Sequence, residues 1–145
     1  MSSSGAWARR RSRRALLQAV YQWQMTGAET SAIERDLIED GALRKADLAF
    51  FRAVLRGVVF ATEALDAQLA PLLDRKIGDL DKVELALLRL GAHELEHRMD
   101  VPFRVVIDEY IELARTYGAE DSYRYINGVL DRLARDLRAL EHAAQ

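Results

Sequence analysis

The chain has 145 residues, half of them hydrophobic and 30% charged, a balance that suits one globular domain with a continuous core and excludes a disordered polymer or a membrane-embedded protein. It contains no cysteine, which removes disulfides, thiolate metal sites and cysteine nucleophiles; no apolar run reaches the length of a membrane span or a signal-peptide core, so a cytoplasmic location is expected. The net charge of −2 is uneven: residues 1–28 carry five arginines and no acid while the remainder stands at −7, so that a basic arm on an acidic body reads as a local handle for a polyanion.

Only two prolines and eight glycines interrupt the chain, and apolar residues recur at helical spacing almost throughout, which predicts an all-α fold. Residues 1–5 are expected as a disordered tip, followed by a helix over residues 6–25 that buries Leu16, Val20 and Trp23 and ends at Gly27. A short helix over residues 31–39 stops at Gly41, and a longer one from about residue 46 turns Leu48, Phe51, Val54, Leu55, Val58 and Val59 inward. A further short helix over residues 65–73 carries Leu65, Leu69 and Leu72.

Asp81 can cap the next helix with Glu84 in the capping-box position, and Leu85, Leu88, Ala92 and Leu95 follow on one face. Pro102 opens another helix, whose inner face is expected to hold Val106, Tyr110, Leu113 and Tyr117 before Gly118 ends it. Glu120 and Asp121 then set negative charge at the start of a last helix that buries Ile126, Val129, Leu130, Leu133 and Leu137. A single domain over residues 6–140 is expected, with residues 141–145 as a tail.

Three stretches could carry chemistry. The first is Arg9, Arg10, Arg11, Ser12, Arg13 and Arg14, running into the first helix, where Arg10, Arg14 and Tyr21 fall close together around the helix axis. Guanidinium forks take phosphates bidentately and a tyrosine ring stacks on an unpaired base, so this edge suits RNA; a solvated basic terminus is the plainer alternative. The second is His93-Glu94-Leu95-Glu96-His97, a match to the zinc-protease pattern H-E-x-x-H. It lacks the extended pattern's glycine and third histidine, so two partly exposed histidines on a solvated face fit it better than a metal site. The third runs from Gly118 to Asp131, where Asn127 and Gly128 disfavour a helix by about 1 kcal/mol. Close helix packing over Gly128 is the expected reason, while Asp121, Ser122, Arg124 and Tyr125 could face either a ligand or the solvent. No phosphate loop, dinucleotide fingerprint or catalytic pair is present, so neither a cofactor nor catalysis is expected.

Four segments in register, RRRSRRALLQAVYQWQ, FRAVLRGV, DKVELALLRLGAHEL and DVPFRVVIDEYIELARTYGAEDSYRYINGVLDRL, resemble the NusB transcription antitermination family over residues 9–138. The resemblance implies a compact bundle of about seven helices in two subdomains. It also implies binding of the boxA element of nascent ribosomal RNA together with NusE, ribosomal protein S ten, and through it an indirect link to the RNA polymerase elongation complex. By matching position, Arg9, Arg10, Arg11, Arg13, Arg14 and Tyr21 correspond to the family's arginine-rich RNA-binding entry, and Asp121, Ser122, Arg124 and Tyr125 to the loop and helix start that complete the RNA surface. Arg75, Lys76 and Glu84 fall on the implied NusE surface. Tyr110 stands where the family usually has a small residue, which bears on local packing, and Tyr125 where phenylalanine is common. A homodimeric or ribosome-assembly scaffold is the competing reading, and a zinc hydrolase the remotest. Certain ribosomal RNA cytosine methyltransferases carry a similar N-terminal domain, but this length leaves no room for their methyl-donor-binding part.

Overall fold

Helix α1, Ser3–Thr26, is longer at its start than the sequence suggests: residues 3–5, expected in a disordered tip, form its first turn. The computed structural model describes residues 3–144, so the rest of that tip, Met1 and Ser2, and Gln145 of the expected tail lie outside the described residues. The described residues form eight α-helices, two short 3-10 segments and no strand, one helix more than expected because residues 139–143 wind into a short turn of their own. The chain divides into two compact units, Met1–Phe60 and Ala61–Gln145.

The first unit holds α1, α2 (Thr30–Glu39) and α3 (Leu48–Phe60). Helix α1 buries Ala15, Leu16, Ala19 and Val20, a stripe at the i, i+4 spacing of one helical face. It ends as expected at Gly27, whose φ of 68° is open to glycine at no steric penalty and lets its N–H reach the Trp23 carbonyl at 2.8 Å. Helix α3 starts on an Asp47 cap, with Oδ1 accepting the Phe50 N–H at 3.0 Å, and buries Phe50, Phe51, Val54, Leu55 and Val58. Ser12 fastens α1 to this cap, for its wholly buried hydroxyl accepts the Asp47 N–H at 2.9 Å and lies 2.9 Å from the Asp47 carbonyl. The basic tract is thereby pinned in register against α3.

The second unit is built around α5 (Lys82–His97), with α4 (Thr62–Leu69), α6 (Phe103–Tyr117), α7 (Ser122–Leu137) and α8 (Ala139–Ala143). Asp81 caps α5 as expected, accepting the Val83 and Glu84 N–H groups at 2.8 and 3.2 Å. Every residue from Glu84 to Leu95 is buried, so α5 is interior on all sides, whereas the sequence pattern suggested one apolar face. Its buried charges are matched: Arg89 forks onto Asp66 of α4 at 2.8 and 3.0 Å, and Glu94 accepts the Tyr110 hydroxyl. Tyr110 therefore fits without strain of sequence logic, its ring in the core and its hydroxyl on a carboxylate.

The close approach expected at one glycine falls at another. Gly128, expected under a close helix contact, is exposed, and a Cβ there would meet nothing within 4 Å. Gly91 is the close approach: a Cβ would lie 2.7 Å from Cδ1 of Leu130. Tyr117, expected inside, is exposed because Phe103, Val106, Ile107, Tyr110 and Ala114 already complete the buried face of α6. The end of the domain and the first residue of the expected tail, Glu141, are also structural. Arg138 is buried and donates to the carbonyls of Glu94, Leu95, Arg98 and Val101 at 3.2, 2.7, 2.9 and 3.0 Å, while Glu141 accepts the Phe103 N–H at 2.7 Å. One arginine thus satisfies the carbonyl end of α5, and one glutamate caps α6.

Candidate nucleic-acid interface

The arginine tract splits by helical periodicity. Arg9 and Arg13, one turn apart, both turn onto the Phe50 ring, their guanidinium carbons 4.7 and 5.1 Å from its centroid. Arg9 also approaches Asp47 at 3.6 Å, and Arg13 is only 3% exposed. Arg10, Arg11 and Arg14 face solvent, with Arg10 over the exposed Trp7 ring at 5.1 Å. Tyr21 is 39% exposed two turns further along. Of the six residues expected here on an RNA surface, Arg10, Arg11, Arg14 and Tyr21 are on the outside; Arg13 is interior, and Arg9 is half engaged in holding α1 to α3.

In the second unit, Asp121 takes a φ of 66° and turns the chain sharply into α7. Arg124 projects into solvent, its Nε 3.1 Å from the Tyr123 hydroxyl and 3.8 Å from Asp121. Ser122, expected beside them on the RNA surface, is 5% exposed and donates its hydroxyl to Glu84 at 2.7 Å. That contact also takes Glu84 away from the partner surface proposed for it and from the reciprocal capping-box bond, because its carboxylate is buried against α7. The Asp121 turn is thus anchored from beneath by a bond across 38 residues of sequence.

Tyr125 is half-buried. Its hydroxyl lies 3.3 Å from the Asp74 N–H, and Arg75 lies over its ring at 4.9 Å. Arg75 in turn forks onto Asp74 at 2.7 and 3.1 Å, and this hydrogen bond holds the Asp74 carboxyl below the usual carboxylate range. Arg75, which the resemblance places on the partner surface with Lys76 and Glu84, is exposed and lies beside Tyr125; Lys76 is exposed at the start of the Ile77–Asp79 turn. Sequence reasoning also passed over Tyr123, whose ring has Arg115 at 4.5 Å and Arg124 at 5.7 Å. An arginine in the last turn of α6 and a tyrosine in the first turn of α7 were the available signal.

The zinc-like string has a different use. Glu94, which would have to face a metal-bound water, is wholly buried on the Tyr110 hydroxyl. His93, expected to be partly exposed, is buried, and desolvation with the neighbouring His97 pushes its pKa down to about 4. His97 lies outside and approaches Glu96 at 2.8 Å.

The NusB family model matches residues 10–135. A transcription antitermination protein NusB from Alcanivorax borkumensis is 54% identical, covering 92% of this chain and 89% of that protein. Its counterpart from Hahella chejuensis is 48% identical over 94% and 91%. Among solved structures, T. maritima NusB superposes with a TM-score of 0.80 at 32% identity, covering 88% of this chain and 91% of its own. A crystal structure of antitermination factors NusB and NusE in complex with dsRNA shares the fold at a TM-score of 0.82 and 22% identity, covering 90% and 98%. On the match along residues 10–135 and the likeness to relatives over nearly their full length, the chain belongs to the NusB family.

Proposed function

We propose that this chain is a non-catalytic RNA-binding adaptor of the bacterial cytoplasm that engages boxA RNA of nascent ribosomal transcripts together with NusE and thereby helps the elongation complex resist termination. The relatives named as transcription antitermination proteins support the process, and the solved assembly of NusB and NusE with RNA supports the partners. The observation that carries the RNA assignment is the division of the arginine tract. Arg9 and Arg13 anchor the helix on Phe50, while Arg10, Arg11 and Arg14 lie on its exposed side.

No bond is made or broken in this mechanism. The exposed arginines take phosphate oxygens, while Tyr21 in the first unit and Tyr125 in the second stack unpaired bases. Ser122, Glu84 and Arg13 act from inside, as residues that hold the contacting ones in place. Three phosphates held by Arg10, Arg11 and Arg14 give a salt slope of about −2 on single-stranded RNA, a weak and salt-sensitive affinity. Specificity then needs the second protein. Fluorescence anisotropy with a boxA-like RNA and a scrambled control, with and without NusE, at two salt concentrations, tests this. Preferential binding that NusE strengthens supports the reading; binding that neither sequence nor NusE changes refutes it.

A further inference from the structure

In the first unit, an open concavity of about 400 Å³ lies between α1 and the turn that joins α2 to α3. Arg11, Arg14, Ala15 and Gln18 line it from α1; Gly41, Ala42, Arg44 and Lys45 line it from the turn. Four cations and no carboxylate face this space. Among the described residues none of the four forms an ion pair, whereas Arg9 pairs with Asp47 and Arg52 forks onto Glu34 in the same unit. In a chain with 23 acidic residues, none of them lines this space.

The turn is built to present its charges. Ala42 donates to the Leu37 carbonyl at 2.9 Å and Arg44 to the Gly41 carbonyl at 3.2 Å, with Gly41 at a φ of 81°. Lys45 itself sits at a φ of 60°, a left-handed conformation that a residue with a side chain seldom adopts and that concentrates at ligand-holding sites. On the other wall, residues 11, 14 and 18 follow the i, i+3, i+7 spacing of one helix face.

We infer that this concavity is a subsite for the phosphodiester backbone of the bound RNA, in which Arg44 and Lys45 face Arg11 and Arg14 across the strand. Four cations exceed what one singly charged phosphodiester requires, so two successive phosphates occupy the site. Arginine forks take their oxygens in pairs, Lys45 adds a point charge, and the Gln18 amide offers a donor and an acceptor to a ribose hydroxyl or base edge. This inference rests on the RNA-binding reading above and adds to it two residues that neither the arginine tract nor the α7 start contains.

The test compares the wild-type chain with Arg44→Gln/Lys45→Gln in titrations of a single-stranded boxA-like RNA over a range of salt. With Arg11 and Arg14 still on the two phosphates, loss of the two facing cations makes the slope of log affinity on log salt shallower by up to about 1.4, and weakens binding at low salt by roughly tenfold or more, with unchanged helicity. Lys45→Gly serves as a second variant that accommodates the left-handed backbone while removing the charge, so its binding loss cannot come from misfolding. Arg35→Gln, an exposed α2 arginine outside the concavity, matches the single charge lost in Lys45→Gly and controls for net charge. Wild-type affinity and slope in both turn variants would overturn the subsite and leave the RNA reading intact. An equal loss in Arg35→Gln would also overturn it, in favour of diffuse attraction. A wild-type chain that binds no RNA would sink both readings together.

Discussion

Arg13 and Arg14 are neighbours in sequence and opposites in structure, so truncating each one separates anchoring from contact. Arg13→Ala removes a guanidinium 5.1 Å from the Phe50 centroid and an aliphatic stem that is 3% exposed. A desolvated cation–π contact is worth about 2 kcal/mol, and each buried methylene roughly 0.8 kcal/mol, so a loss of about 3 kcal/mol is expected after partial relaxation. For a chain of this size that lowers the melting temperature by roughly 6–12 °C. Arg14→Ala, on the exposed side, should change stability by no more than about 0.5 kcal/mol and make the salt slope for RNA shallower by about 0.7. Urea unfolding followed by circular dichroism, paired with anisotropy titrations on the same preparations, measures both quantities. A stable Arg13→Ala variant that loses more RNA affinity than Arg14→Ala would refute the division.

Ser122→Ala should destabilise the second unit by about 1–3 kcal/mol, because it strips a buried carboxylate of its hydroxyl donor; adding Glu84→Met should recover part of that loss in a double-mutant cycle. Tyr125→Ala is expected to weaken RNA binding by about 1–3 kcal/mol, whereas Tyr125→Phe keeps the ring and gives up only the 3.3 Å contact to the Asp74 N–H, so titration of both variants isolates stacking. His93 has a folded pKa of about 4 against an ordinary value of 6.5, so the unfolded chain binds the extra proton between those pH values. Stability is therefore lost as pH falls from 6.5 toward 4, by up to about 1.4 kcal/mol per pH unit, and a His93→Gln variant should show a flatter profile in urea melts across that range.

What the sequence shows and what it hides follow the reach of each interaction. The Asp81 cap and the Gly27 stop depend on partners within four residues, so their local pattern suffices. Gly91 and Gly128 carry the same local signal, a glycine inside a periodic helix, and only the position of Leu130 tells which one is a close approach. Buried charges were the largest gap. Arg13, Glu84 and Arg138 look like surface residues until partners 37 or more residues away, or an aromatic ring on another helix, are brought to them. The arginine tract drew attention as a polyanion handle, but its inward members required Phe50, a ring the stripe of α3 did not single out. The α2–α3 turn offered only two adjacent cations, which become notable once Arg11 and Arg14 stand opposite them.

The capping of α5 by Arg138 also bears on the order in which the protein is made. All the buried apolar residues of the second unit have been synthesised by Ala134, yet the group that satisfies the α5 carbonyls arrives four residues later, 43 positions after Leu95. The Glu141 cap of α6 follows three residues after that. The hydrogen bonds that fasten the first unit join residues 8–60, so they can form while much of the chain is still on the ribosome. A nascent chain arrested before residue 138 should accordingly protect its first unit from protease while the second remains open, a collapsed core still lacking its polar closure.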